Sequence, residues 1–436
     1  MPKYRVNTRN DLPRVGEMLG LSRAQVADMQ AVSAVLPFKV NDYVLEQLID
    51  RDDLPHDPIF QLTFPQRGML AEGDFKRMRD LVTRGATDAD LRLAADKIRA
   101  ALNPHPAGQM DLNKPHFGGA PLEGMQHKYN ETVLFFPTQG QTCHAYCTYC
   151  FRWAQFIGDA DLKFASKEAG QLVQYVSDNP EISSVLITGG DPMVMKTKFL
   201  RKYIEPLLAI PHLNSIRIGT KALAYWPYRF TDGEDADDFL RLIGDVRAAG
   251  KHFALMAHSS HPVELSTSAA EAAVRRVIDA GAVIRCQAPL IKNVNDHQDV
   301  WAALWRKQVS LGAIPYYMFV ERDTGPKNYF EVPLARAHNI FTRAYRQVSG
   351  LARTVRGPSM SCTPGKVLVD GLAKIHGARV FVLKFIQGRD PDWANQVFFA
   401  KFDPQATWLD DLGPTFGDEK FFFESDVEDF QFANDE

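Results

Sequence analysis

The sequence predicts an α/β fold: a partial (β/α)6 barrel of the TIM-like type, with a helical N-terminal region and a mixed C-terminal segment. From about residue 130, short apolar or β-branched runs alternate six times with amphipathic helical stretches. Such alternation is typical of a parallel sheet with helices on its outside. Right-handed crossovers would curl six units into an open barrel. The chain has 436 residues and 45% hydrophobic composition, which suffices for a core of that size.

The first 125 residues form the helical region in this interpretation. Helix-like apolar spacing spans residues 1–36 and again residues 74–102. Residues 41–66 between them are rich in proline. Residues 103–124 contain many glycines and prolines, which indicates a linker or covering loop before the barrel.

The barrel segment, residues 126–350, contains six predicted strands, each followed by a predicted helix. The strands are 132–137, 183–190, 214–222, 252–258, 283–290 and 315–321, and the helices are 166–178, 196–209, 235–250, 268–281, 298–312 and 334–350. The C-terminal segment, residues 351–436, mixes apolar runs with an acidic, aromatic tail that could cover an edge or form an interface.

Composition excludes several classes of protein. Fifty basic residues stand against 53 acidic ones, and this formal charge of −3 argues against nucleic acid as the main partner. No stretch approaches 18 uninterrupted apolar residues, and the N-terminus lacks the apolar run of a signal peptide, so we expect a cytoplasmic protein without a membrane span. Five cysteines are too few for a disulfide framework.

Three of the five cysteines form a compact motif directly after the first barrel strand. Cys143, Cys147 and Cys150 have the spacing C-x3-C-x2-C. Three thiolates can hold three corners of a [4Fe–4S] cluster and leave the fourth iron open to another ligand. A zinc site is the alternative, and it would need a fourth ligand such as His144, Cys286 or Cys362.

Polar or glycine residues also end the next predicted strands. In a parallel barrel, the carboxyl ends of the strands form the active-site face. These residues are Gly189, Gly190, Asp191, Arg217, Thr220, Lys221, His258 and Gln287. Each of them alone is compatible with an ordinary structural role, but together they mark one face of the barrel as the candidate site.

The motifs resemble a known family. The C-x3-C-x2-C spacing, with Tyr149 before the last cysteine, is similar to the signature of the radical S-adenosylmethionine (SAM) superfamily. Segments such as DLPHDPIFQLTFPQ, LITGGDP, PHLNSIRIGTK and IPYYMFV extend the resemblance to the lysine 2,3-aminomutase family, over most of residues 45–370.

The resemblance implies a radical mechanism and its cofactors. The open iron would bind SAM, and one electron from a donor such as flavodoxin or ferredoxin would release a 5′-deoxyadenosyl radical. That radical would take a hydrogen atom from an amino-acid substrate, whose amino group would move between C2 and C3. The resemblance is also compatible with a homo-oligomer. The residues that match the family's cofactor contacts are Tyr149, Gly189, Gly190, Asp191, Arg217, Thr220, Lys221, His258 and Gln287.

The resemblance also implies pyridoxal 5′-phosphate (PLP), held by a lysine as a Schiff base. Lys366 matches that lysine, and Lys128 and Tyr129 match the region that holds the cofactor phosphate. Two departures bear on this prediction. The run before Lys366 is PSMSCTPG, less rich in glycine than the family's, and Thr132 replaces an arginine. Lys128 could substitute for that arginine as a point charge.

Substrate class follows from three further matches. Arg152 matches the arginine that grips the substrate α-carboxylate, a task suited to a guanidinium fork. Where the family has two aspartates for the distal ammonium of lysine, this chain has Arg322 (or Asp323, one residue on) and Arg356. We therefore expect a substrate with an acidic or polar side chain. A PLP-independent radical SAM enzyme and a non-enzymatic iron–sulfur protein are the alternatives.

Overall fold

A computed structural model describes residues 3–103, 112–157 and 164–427. Its strands are β1 Val6–Thr8, β2 Lys39–Asn41, β3 His116–Phe117, β4 Ala120–Pro121, β5 Met125–Tyr129, β6 Thr132–Phe135, β7 Ser184–Ile187, β8 Ser215–Thr220, β9 His252–His258, β10 Val283–Leu290, β11 Ile314–Val320, β12 Arg356–Ser361, β13 Gly365–Ile375, β14 Ala378–Gly388 and β15 Val397–Lys401.

The helices fall into an N-terminal group and a group that alternates with the barrel strands. The first group is α1 Leu12–Met18, α2 Arg23–Val32, α3 Asp42–Gln47, α4 Pro58–Thr63, α5 Glu72–Thr83 and α6 Asp88–Leu102. The second is α7 Ala169–Asp178, α8 Thr197–Ile204, α9 Ala222–Tyr225, α10 Tyr228–Thr231, α11 Gly233–Ala248, α12 Ser268–Asp279, α13 Gln298–Ser310, α14 Lys327–Phe330 and α15 Leu334–Arg346.

The central feature is one sheet of eleven strands, β5 to β15, in which each strand lies beside its neighbours in sequence order. The six predicted barrel strands are β6 to β11, and they pair in parallel and in sequence order. The predicted α/β partial barrel is confirmed. Strand β12 adds a seventh parallel strand, in which Arg356 pairs with Tyr317.

The C-terminal segment continues the same sheet. Strands β13, β14 and β15 follow β12 in antiparallel pairing, and the long β13–β14 hairpin runs from Gly365 paired with Gly388 to Ile375 paired with Ala378. At the opposite edge, β5 pairs antiparallel with β6. The hairpin therefore brings Lys366, on β13, to the same sheet as the barrel strands.

The barrel strands bury one face against the outer helices and turn the other face inward. On β8, Ile216 and Ile218 are fully buried, whereas Arg217 between them is only partly covered and belongs to the inner row. Side chains alternate in this way along any strand. Each fully buried aliphatic side chain contributes about 1.5–3 kcal/mol to folding. The outer row therefore stabilises the barrel and leaves the inner row free for function.

The N-terminal helices have a separate apolar cluster. Val15, Val32, Phe60 and Met78 are fully buried there, and the cluster extends to Trp153 in the cysteine loop. The helical region thus packs directly on the segment that follows the first barrel strand. No helix in the described part of the chain is both long enough and apolar enough to cross a membrane.

Candidate active site

The cysteine loop lies between β6 and α7 and is held by the N-terminal region. The backbone N–H groups of Tyr146 and Thr148 donate to the carbonyl oxygens of Lys39 (2.8 Å) and Leu62 (2.9 Å). The Asn41 side-chain amide donates to the carbonyl of His144 at 3.2 Å. A loop with few hydrogen bonds of its own is thus fixed by backbone groups more than eighty residues away in sequence.

The glycine pair at the end of β7 packs against this loop. A Cβ atom on Gly190 would lie 2.6 Å from the backbone nitrogen of Thr142, so no larger residue fits without a shift. The backbone N–H of Asp191 donates to the carbonyls of Gly140 (3.1 Å) and Thr142 (2.8 Å). The close approach at Gly190 is therefore with the chain's own cysteine loop. A ligand contact at Gly189 and Gly190 stays a prediction.

The Asp191 carboxylate ties the ends of β7 and β8 together. It accepts hydrogen bonds from the Thr220 hydroxyl (2.7 Å), the Lys221 backbone N–H (2.8 Å) and the Met193 backbone N–H (2.9 Å). Burial raises the pKa of Asp191 to about 6, against the opposing effect of these donors. Asp191 and Thr220 thus fix the geometry of the strand ends beside Cys143.

The three loop cysteines have the charge environment that an anionic cluster requires. Burial raises the pKa of all three thiols, that of Cys150 to about 12, so the apoprotein holds them protonated. Each also has a cation that opposes this effect: Lys39 beside Cys143, Lys221 beside Cys147 and Arg152 beside Cys150. Nearby cations favour the thiolate, which is the form that binds metal. The donor set therefore fits a [4Fe–4S] cluster.

The two distant cysteines considered for the zinc alternative have their own surroundings in the fold. Cys286 is buried on β10 beside Ser259, and Cys362 is buried beside Lys128. Within residues 3–103, 112–157 and 164–427, no three His, Cys, Asp or Glu side chains are gathered closely enough for a metal ion. A cubane cluster binds its cysteines at separate iron corners, so its ligands lie further apart than those of a single ion.

Two further pairs complete the strand-end face. Lys221 Nζ forms a buried ion pair with Glu264 Oε1 at 2.6 Å. The His258 Nε2 and Gln287 Nε2 atoms lie 2.9 Å apart, across β9 and β10. Burial lowers the pKa of His258 to about 3, so its imidazole is neutral and accepts from the glutamine amide. Thr220, Lys221, His258 and Gln287 therefore lie at one end of the barrel, as expected of strand-end residues.

A cavity of about 240 Å³ lies at the inner face of the sheet, beside the cysteine loop. Polar and charged side chains form much of its wall. It is lined by Gln126, Lys128, Tyr129, Thr132, Leu134, Phe151, Arg152, Gln155, Phe164, Leu186, Arg217, Arg322, Ser361, Lys366 and Gln387. Five of these residues are basic, and none of the cavity-lining residues within 3–103, 112–157 and 164–427 is acidic. The cavity is thus built for anionic groups.

Lys366 is a wall residue of this cavity. Its Nζ donates to Gln387 Oε1 at 2.6 Å and lies 4.9 Å and 5.2 Å from the ring centroids of Tyr129 and Tyr317. Burial, and then the charge of Arg217, lowers the pKa of Lys366 to about 7. A neutral amine is the nucleophilic form that attacks an aldehyde. The environment therefore suits a lysine that forms a Schiff base.

Arg152 and Arg322 lie on the same wall, with their guanidinium carbons 5.3 Å from the ring centroid of Phe151. Burial lowers the pKa of Arg152 to about 10, which leaves it charged at neutral pH. The Arg322 Nε atom is buried and has no hydrogen-bond partner in the described structure. A buried charged donor without a partner costs free energy, so a ligand that accepts from Arg322 would bind favourably.

Arg217 lies on the cavity wall with Lys366, rather than beside Asp191 with Thr220 and Lys221. Its guanidinium donates to the Thr132 hydroxyl at 3.2 Å. An arginine from β8 therefore extends to the position where the family's arginine is replaced by threonine. The structure thus places Arg217 on the cavity wall, and its predicted contact with SAM stays a prediction.

Three other predictions are changed by the geometry. Lys128 lines the cavity, but its ammonium donates to the Cys362 carbonyl, and burial lowers its pKa well below the usual value, so it is a weaker cation than expected. Asp323 does not line this cavity and borders a second, smaller one. Arg356 also lies outside the lining residues, with its guanidinium carbon 4.3 Å from the Tyr316 and Tyr317 ring centroids.

Comparison with known proteins identifies the family of this chain. A protein of Aquifex aeolicus, provisionally named L-lysine 2,3-aminomutase, is 32% identical over 290 residues, which cover 66% of this chain and 74% of the relative. The chain belongs to the lysine 2,3-aminomutase family of radical SAM enzymes. This family carries a [4Fe–4S] cluster and uses SAM.

Other relatives in the family differ in the substrate that their names give. L-lysine 2,3-aminomutase of Bacillus subtilis is 28% identical over 233 residues, 53% of this chain and 47% of the relative, so the match spans about half of its length. Glutamate 2,3-aminomutase of Clostridioides difficile is 27% identical over 351 residues, 80% of this chain and 72% of the relative.

Two further comparisons add no argument. A crystal structure of a radical SAM methyltransferase from Sphaerobacter thermophilus covers 81% of this chain and 94% of its own, with 14% identity and a TM-score of 0.38, which is too low to compare sites. No protein-family model matches the chain.

Several residues around the site of this family member were missed by the sequence interpretation. Gln387 is the hydrogen-bond partner of Lys366, and Tyr225 lies against Cys147. Glu264 is the buried partner of Lys221. A lone glutamine, tyrosine or glutamate has no pattern that marks it, so only their contacts reveal them.

Proposed function

We propose that this chain is a radical SAM 2,3-aminomutase that uses PLP and acts on an amino acid with an acidic or polar side chain. The observation that carries the proposal is the cavity whose wall has five basic residues and, in the part of the chain that the structure describes, no acidic one. Membership of the lysine 2,3-aminomutase family supplies the reaction class. The charge of the cavity supplies the substrate class.

The charges of the cavity match the groups that it would hold. A PLP phosphate and a substrate α-carboxylate together carry about three negative charges, and a distal carboxylate would add a fourth. Besides Lys366 and Lys128, whose pKa burial lowers, three arginines line the cavity: Arg152, Arg217 and Arg322. The distal ammonium of lysine would have no acidic partner among the described residues of this wall. A desolvated ammonium without an anion is strongly disfavoured, so a lysine substrate fits poorly.

Each arginine has a distinct role in this proposal. Arg152 follows Cys150 by two residues and is adjacent to both the cysteine loop and the cavity, so it would bind the α-carboxylate close to the radical. Arg322 lies across the Phe151 ring from it and would bind the distal acidic or polar group. Two guanidinium forks can orient a dicarboxylate by bidentate contacts. Holding both ends fixes which hydrogen atom faces the radical.

Lys366 would hold PLP, and Arg217 would take the phosphate. Arg217 hydrogen-bonds Thr132, the residue that stands in place of the family's arginine. When bound, PLP supplies an imine across which the amino group can migrate. Gln387 accepts a hydrogen bond from the Lys366 ammonium and so orients its amine. Leu134, Leu186 and Phe164 supply the apolar part of the cavity wall.

Cys143, Cys147 and Cys150 would hold the cluster, and residues Asp191, Thr220 and Lys221 shape the strand ends beside it. The cluster with SAM supplies a 5′-deoxyadenosyl radical after one-electron reduction by a donor protein such as flavodoxin or ferredoxin. Arg152 belongs to both the cysteine loop and the cavity wall, so it would hold an amino acid beside the segment that would bind the cluster.

The test is an anaerobic reconstitution with iron, sulfide and PLP, followed by desalting and spectroscopy. We expect a Schiff-base band that borohydride abolishes and that Lys366→Ala lacks, while both proteins keep the same iron content. The loaded enzyme is then incubated with SAM, a reductant and either glutamate or lysine. We expect a 3-amino product and 5′-deoxyadenosine with the acidic substrate.

Arg322→Gln serves as the specificity control, since it removes the charge but retains a polar side chain. It should lose the preference for the acidic substrate and keep the Schiff-base band. Turnover of lysine but not of acidic or polar amino acids would contradict the substrate class. Cluster absorbance with no band that depends on Lys366 would contradict the use of PLP and leave a radical SAM enzyme of another kind.

A further inference from the structure

A tyrosine hydroxyl lies against one of the loop cysteines. Tyr225 Oη is 3.4 Å from Cys147 Sγ, within hydrogen-bonding distance for sulfur. Helix α9 begins directly after Lys221, the residue that follows β8, and Tyr225 is its last residue. Tyr225 is 1% exposed. When Cys147 binds iron it has no proton, so the only proton in this pair belongs to Tyr225. The tyrosine must then be the donor.

A buried ion pair holds this tyrosine in a fixed electrostatic setting. Lys221 Nζ lies 4.7 Å from the Tyr225 ring centroid and 2.6 Å from Glu264 Oε1. Glu264 is 0% exposed and also accepts hydrogen bonds from the backbone N–H groups of Ser260 and His261. A cation over an aromatic ring withdraws electron density from it, which makes the phenol a stronger donor.

A second tyrosine lies near the same cysteine. Tyr149 also approaches Cys147, but its hydroxyl interacts with Ser260 as well. Tyr225 therefore offers the donor whose direction is best defined.

We propose that Tyr225 donates a hydrogen bond to the Cys147 thiolate of the bound cluster and thereby raises the cluster's reduction potential. The inference depends on the cluster assignment in the proposed function. Reduction adds one electron to the cluster and makes its sulfurs more negative, so a donor at sulfur stabilises the reduced form more than the oxidised form. No bond breaks, and the proton stays on the tyrosine oxygen.

The test is a reductive titration of the anaerobically reconstituted full chain without SAM, followed by electron paramagnetic resonance of the reduced cluster. Tyr225→Phe removes the hydroxyl and keeps the ring. We expect its midpoint potential to shift to a more negative value; a tenfold loss in the ratio of reduced to oxidised cluster would correspond to 59 mV for one electron. Tyr43→Phe is the matched control, since the Tyr43 hydroxyl bonds Thr267 at 2.6 Å. The midpoint potential of the Tyr43→Phe variant should equal that of the wild type.

Iron and sulfide content separate the outcomes. A Tyr225→Phe protein with full cluster content and the wild-type potential overturns the inference alone. A wild-type protein that loads no cluster overturns the cluster assignment and the inference together. If Tyr225→Phe does not load, 3-fluorotyrosine at position 225 is used instead, because it keeps the hydroxyl and makes it a stronger donor. An upward shift in potential then supports the inference, and an unchanged potential overturns it.

Discussion

Lys366 should capture PLP at a pH at which an ordinary lysine is almost inert. The perturbation is pH itself, applied to the apoprotein between about pH 5.5 and pH 10, the range that spans both the perturbed and the ordinary lysine pKa. Burial and the charge of Arg217 lower the pKa of Lys366 to about 7. Because only the neutral amine attacks the aldehyde, the capture rate should follow the neutral fraction.

The expected effect at neutral pH is large. A lysine with an ordinary pKa of about 10.4 is neutral in only about one molecule in 2,500 at pH 7. With a pKa of about 7, about half of the Lys366 amines are neutral at that pH. The neutral fraction alone therefore gives Lys366 an advantage of about 1,000-fold, before any gain from binding of the phosphate.

The assay is stopped-flow absorbance of Schiff-base formation, with N-acetyl-lysine measured at each pH to account for ionisation of the cofactor itself. Relative to that reference, the protein's advantage should be greatest below pH 7 and shrink by about tenfold per pH unit between 7 and 10. Lys366→Ala should show no band. A protein profile that runs parallel to N-acetyl-lysine, with a midpoint near 10, would refute the claim that burial neutralises Lys366.

Three further outcomes are expected from single substitutions. Arg322→Gln should raise KM for an acidic substrate by about 10- to 100-fold, since a hydrogen bond to a charged group contributes about 1.5–3 kcal/mol. Steady-state kinetics would measure KM for an acidic and for a neutral substrate. An equal change in the two KM values would mean that Arg322 has no role in binding the acidic group. Gly190→Ala should reduce cluster content, because the added Cβ would lie 2.6 Å from the Thr142 backbone. Gly244→Ala is the control and should leave cluster content unchanged, because Gly244 lies on a helix with open space around it. Iron analysis measures the cluster content of both variants. Asn41→Ala should lower the free energy of unfolding by about 1–3 kcal/mol by leaving loop carbonyls unsatisfied, and an unchanged denaturant midpoint would contradict that.

The fold was predictable where strand and helix patterns alternate. Strands β6 to β11 were located because each is a short apolar run before an amphipathic helix. Strand β12, Arg356–Ser361, was missed, because its sequence RGPSMS contains a glycine and a proline, which disfavour strands. Its pairing with β11 and β13 determines its conformation. Local propensity could not show this.

The site was predictable only in part, for a similar reason. The cysteines form a local motif, so their joint role was visible in the sequence. The neighbours of Lys366 come from β5, β8 and β14, and their meeting depends on the sheet order rather than on spacing. Arg217 occupies an inner-row position between the buried Ile216 and Ile218, so its place on the cavity wall follows from the alternation of side chains along β8. Its neighbours there come from distant strands, and no spacing in the sequence shows them.

The way in which the N-terminal region holds the cysteine loop has a consequence for biogenesis. The hydrogen bonds from Asn41 and Lys39 reach residues about a hundred positions later in the chain. The ribosome releases the first region well before the loop that it will support. Iron–sulfur assembly factors would therefore meet a competent loop only after both segments have been synthesised and have docked. Cluster insertion would then require the completed tertiary structure. A barrel expressed without its first 125 residues would not bind the cluster, even with all three cysteines present.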